Sequence, residues 1–82
     1  MKSLNLDYIE AHKYTTDNKY YVEQSTECGC CYCLSKFKSD EVEYAVGSAM
    51  CPYCGVDAVV CDKVANITDK LLQDMNDKWF GY

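Results

Sequence analysis

The chain has 82 residues, of which 49% are apolar and seven are cysteine, and its formal net charge is −5. A chain this short makes one small domain whose core alone supplies only about 3–5 kcal/mol, so a staple is expected. The apolar and aromatic content excludes disorder, and the longest apolar run, Cys30 to Leu34, falls far short of the roughly 20 residues that span a bilayer. Met1 to Asp7 lacks the apolar stretch of a secretory signal, which places the expected location in the cytoplasm.

Residues 1–27 contain no cysteine and four tyrosines, Tyr8, Tyr14, Tyr20 and Tyr21. Asp7-Tyr8-Ile9-Glu10 has the D-x-x-E form of a capping box and predicts a short helix. Thr15-Thr16-Asp17-Asn18 is a run of turn and cap residues that opens a second one through Tyr21, Val22 and Ser25. Residues 28–61 hold every cysteine. Leu34–Phe37 and Val42–Val46 read as short strands around a turn at Ser39-Asp40, and Gly47-Ser48 turns the chain back toward Cys51. Val56–Cys61, rich in β-branched residues, reads as a further strand.

Residues 66–81 carry the strongest helical pattern. Thr68 is the expected N-cap, and Ile67 is placed to staple onto Leu72. Leu71, Leu72, Met75 and Trp79 fall in one stripe about 100° wide, which marks a core-facing surface. Asp69 in the first turn and Lys78 in the last suit the helix dipole, and Asp74 with Lys78 makes an i,i+4 pair. Gly81 is the expected stop.

Two C-x-x-C knuckles, separated by residues 34–50, match the spacing of a four-cysteine zinc site. A tetrahedral ion needs four convergent ligands, and a tight knuckle aims two thiolates at one centre. Gly55, just after Cys54, supplies the positive φ that such a turn demands. In the first knuckle, Cys28/Cys31 and Cys30/Cys33 both have the required spacing. The shared C-x-Y-C form of Cys30-Cys31-Tyr32-Cys33 and Cys51-Pro52-Tyr53-Cys54 favours Cys30 and Cys33. Cys28, Cys31 and Cys61 are then spare, and a spare cysteine is most often a small buried hydrophobe. His12, the sole histidine, reads as exposed or helix-terminal, because four sulfurs already complete a site.

Cys28-Gly29-Cys30-Cys31-Tyr32-Cys33, the string Cys51-Pro52-Tyr53-Cys54-Gly55-Val56-Asp57-Ala58-Val59-Val60, and a terminal helix closing on Trp79-Phe80 together resemble a known family. It comprises small bacterial and phage proteins, usually called cytoplasmic proteins, to which no activity attaches. The resemblance runs over about residues 11–80. It implies a small α+β zinc-stapled domain, zinc-ribbon-like or treble-clef-like, with both knuckles on short β-hairpins. An N-terminal helical segment (1–27) would pack on a zinc-binding domain (28–82) that ends in the amphipathic helix. It also implies one structural Zn²⁺ held by Cys30, Cys33, Cys51 and Cys54. The chain departs from the family pattern at Cys31, where phenylalanine is expected, and at Cys61, where glycine or proline is usual.

A four-sulfur site is coordinatively closed, and no general base or phosphate loop accompanies it, so a non-enzyme is expected. The eight basic residues are all lysine. Arginine is the usual bidentate reader of phosphates and guanines, and the acidic balance adds repulsion, so nucleic acid is a disfavoured partner. The expected role is a protein-interaction module, in one form a small phage or bacterial modulator of a host protein. Its support is the acidic surface, the many tyrosines and the terminal Trp79-Phe80, since aromatic residues anchor interfaces. The alternatives are a nucleic-acid-binding zinc ribbon, using Lys36, Lys38 and the knuckle tyrosines, and a thiol redox protein acting through C-x-x-C.

Overall fold

The computed structural model describes residues 4–81; Met1–Ser3 and Tyr82, the outer ends of the two expected segments, lie outside the described residues. The first helix, α1 (Tyr8–Ala11), starts where Asp7 accepts a hydrogen bond from the Glu10 N–H, at 2.9 Å. A 3-10 turn follows over His12–Tyr14, and α2 covers Lys19–Glu23. Asn18 precedes α2 but makes no capping bond with its side chain, because that side chain is committed elsewhere. It is fully buried. Its amide donates to the carbonyls of Tyr14 and Val59 at 2.8 and 2.9 Å, while its Oδ1 accepts from the Ala49 N–H at 2.8 Å. One side chain thus pins the N-terminal segment to two distant strands. Leu4 and Leu6 add backbone bonds to Lys63 and Val64.

Strands β1 (Glu27–Cys30), β2 (Lys36–Lys38) and β5 (Val59–Cys61) form an antiparallel sheet in the order β2-β1-β5, while β3 (Glu43–Ala45) pairs with β4 (Ser48–Met50). The expected pairing of residues 34–37 with 42–46 does not occur. The Ser39 N–H instead bonds to the Thr26 carbonyl, extending the β1–β2 ladder, and a 3-10 turn at Ser39–Glu41 redirects the chain. The partner of β3 lies across the two-residue Val46-Gly47 loop, with Ala45 opposite Ser48. Both loop residues have positive φ, 52° and 80°, which defines the type I′ geometry whose twist matches paired strands.

Helix α3 spans Asp69–Trp79, with the Leu71 N–H donating to Thr68 Oγ1. Its predicted stripe faces inward: Leu72 and Met75 are buried, Leu71 and Trp79 half-buried. Gly29 on β1 is the reason the helix sits so close. A Cβ there would lie 2.9 Å from both Leu72 methyls and 3.1 Å from Ile67. Asp74 pairs with Lys70 at 3.1 Å rather than with Lys78, and Lys36 of β2 reaches Asp69 at 2.9 Å. His12 is half-buried, its ring stacked flat on Trp79 with centroids 3.8 Å apart. Among the described residues no helix is long and apolar enough to cross a membrane.

Candidate metal centre

The fold brings together Cys30, Cys33, Cys51 and Cys54, whose Sγ atoms all lie within 4.8 Å of one another. Cys30–Cys54 and Cys33–Cys51 are each separated by 3.6 Å. Four sulfurs at metal–sulfur bonds of about 2.3 Å span tetrahedral edges of about 3.8 Å, so the cluster has the dimensions of a tetrahedral thiolate site. Of the two registers open to the first knuckle, the structure assembles Cys30/Cys33. Cys28 and Cys31 are not in the cluster, and neither is Cys61 nor His12.

The two knuckles repeat one backbone design. In the first, the Leu34 N–H donates to the Cys30 carbonyl and the Cys30 N–H to the Ser35 carbonyl, at 2.8 and 2.9 Å. In the second, Gly55 donates to Cys51 and Cys51 to Val56 at the matching offsets, at 2.9 and 3.0 Å. The residue after each second cysteine has positive φ, 66° for Leu34 and 77° for Gly55. Gly55 follows the sequence expectation. Leu34 does not announce itself, since a leucine in the left-handed region costs roughly 1–2 kcal/mol and is held there by its surroundings. Asn76 of α3 helps hold it, donating to the Cys31 and Tyr32 carbonyls at 3.1 and 3.0 Å.

The knuckles have different scaffolds. The first is the turn of the β1–β2 hairpin. The second joins β4 to β5, which belong to different sheets, so it is not on a hairpin as the sequence suggested. The cluster therefore lies where the two sheets meet.

Backbone N–H groups point at the sulfurs. Cys51 Sγ accepts from Tyr53 and Cys54 at 3.3 and 3.5 Å, and Cys30 Sγ accepts from the Cys33 N–H at 3.5 Å. Burial drives the Cys30 thiol well above its ordinary pKa, opposed in part by the N–H groups of Cys33 and Tyr32. Burial also pushes Cys33 up, but hydrogen bonds led by the Ser35 hydroxyl and N–H outweigh it and bring that thiol down to about 7. A bound divalent cation would stabilise all four thiolates together, because its charge dominates so small a volume. The N–H donors then spread the excess negative charge that four thiolates leave on a divalent ion.

No family model matches the chain, and neither a curated protein nor a solved structure matches it. What the fold and cluster define is a class: a small α+β domain of antiparallel strands and short helices, built around four cysteines placed to bind a metal ion.

Proposed function

We propose that the chain is a non-enzymatic, structural zinc protein whose knuckle face docks another protein. The observation that carries this reading is the pairing of a closed four-sulfur cluster with exposed, braced tyrosines at equivalent positions of its two knuckles. Four thiolates fill the coordination of a tetrahedral ion, leaving no place for a reactive water, and soft sulfur donors favour zinc among the abundant divalent ions. Tyr32 and Tyr53 are 49% and 64% exposed. Each is buttressed by a second ring, Tyr32 by Phe80 at 5.1 Å and Tyr53 by Phe37 at 5.9 Å. Half-exposed aromatic rings held in place cost little entropy to dock, which is how interface anchors work. A modulator of a host protein is one concrete form of this role.

Affinity capture from a bacterial extract tests it, comparing the native chain with Y32A/Y53A. The double variant should retain one zinc per chain and lose a captured protein that the native chain retains. A partner held equally by both, or none above background, contradicts the docking role. Absence of zinc from the purified native chain contradicts the metal assignment separately.

A further inference from the structure

The three cysteines outside the cluster are not equivalent. Cys31 stands opposite Ala58, to whose carbonyl its N–H donates at 3.0 Å. Cys28 and Cys61 stand directly opposite each other on β1 and β5. The hydrogen-bond pattern fixes which kind of site they occupy. Cys31 pairs with Ala58 and Glu27 with Asp62 through backbone bonds, and bonded and non-bonded pairs alternate along an antiparallel ladder. Cys28 and Cys61 therefore form a non-hydrogen-bonded pair. There the Cα atoms approach to about 4.5 Å and the side chains leave the same face of the sheet. That separation is inside the Cα range of about 4.4–6.8 Å that a disulfide spans. The other pairs of the β1–β5 ladder set Gly29 against Val60 and Cys30 against Val59, so this is its one cysteine–cysteine facing pair.

We propose that Cys28 and Cys61 are a second, metal-independent thiol site of this protein, which forms a cross-strand disulfide between β1 and β5. The oxidant is a small-molecule disulfide. One protein thiol loses its proton to solvent and attacks a sulfur of that disulfide, expelling one small thiolate. The other protein thiol, likewise deprotonated, attacks the protein sulfur of the mixed disulfide and expels the second. Two protein thiols are oxidised by two electrons, and the small disulfide is reduced to two thiols. Both side chains are fully buried in the folded chain, so exchange takes place in the opened chain, before β1 and β5 close. The closed sheet then sets the equilibrium, holding the sulfurs together and shielding the product from reduction.

The inference does not depend on the metal reading, and the test separates the two. The full zinc-loaded chain is brought to equilibrium in mixtures of reduced and oxidised glutathione, from both the reduced and the oxidised side. A parallel set is kept unfolded in concentrated urea. Peptide mapping identifies the linked residues, and zinc is measured in the same samples. A Cys28–Cys61 link should form in the folded set with zinc retained. Its equilibrium constant should exceed that of the same link in the unfolded set by about 100-fold, the range of a well-placed disulfide. A ratio below about tenfold, or a map that links any other pair while zinc is retained, overturns the proposal. Loss of zinc with linkage among Cys30, Cys33, Cys51 and Cys54 reports oxidation of the cluster itself, and the 28–61 ratio, read from the same map, still decides the proposal.

Discussion

Val46 offers a clean test of the β3–β4 turn, because its side chain brings almost nothing to the folded state. It is 101% exposed, and its φ of 52° lies in the left-handed region. An L-residue there costs about 1–2 kcal/mol, and a β-branched one is among the worst accommodated. Val46→Asn keeps a residue of moderate size, loses no burial, and installs the Asn-Gly pair that type I′ turns prefer. The expected gain is about 1 kcal/mol, which corresponds to a rise in Tm of about 4–8 °C for a domain of this size. Thermal and urea denaturation of metal-loaded protein measure it, with metal content matched between samples. Gly47→Ala is the companion, since its φ is 80° and the new Cβ would sit 3.0 Å from Asp17 Oδ1. It should destabilise by about 1 kcal/mol. An unchanged or lowered Tm for Val46→Asn would refute the left-handed turn as the source of strain.

Asn18→Ala leaves the Ala49 N–H and the Val59 carbonyl without their buried partner. It should cost about 2–4 kcal/mol, seen as a lower urea midpoint; a loss under about 0.5 kcal/mol would show that water replaces the amide. Strong chelation should abolish the near-ultraviolet circular dichroism, because a structural site of this kind is worth on the order of 10 kcal/mol in apparent terms. Retention of the native spectrum without metal would contradict that. The single tryptophan and single histidine are stacked on each other, so Trp79 fluorescence should titrate with His12. Burial lowers the His12 pKa, which means the unfolded chain takes up its proton first. The neutral stack's contribution is complete above the unfolded value of about 6.5 and is lost as pH falls through the depressed folded value. A fluorescence midpoint at or above about 6.5 would refute the burial of that ring.

The cluster and α3 were legible because their signals are local. A C-x-x-C repeat fixes two ligands at a time, and the α3 stripe needs only its own residues to be read. The pairing of β2 was not, because β1 reads Glu-Cys-Gly-Cys and carries none of the alternating β-branched pattern that marks a strand. Its residues are there for the sulfurs and for the close approach of Leu72. Asn18 read as a cap because it sits in a polar run, yet its decisive partners, Ala49 and Val59, are 31 and 41 residues downstream. Leu34 hid its left-handed backbone for the opposite reason: a leucine does not favour that conformation, and the knuckle imposes it.

The repeated knuckle also sorts the four sulfurs by depth. Each knuckle contributes one buried sulfur, from Cys30 or Cys51, and one nearer the surface, from Cys33 or Cys54. With an ion bound, a competing chelator would meet the outer pair, Cys33 and Cys54, first. The rate of metal removal would then climb with chelator concentration instead of levelling at the rate of spontaneous release. The depth difference gives the staple a door, on the side of Cys33 and Cys54, through which an ion would leave or enter.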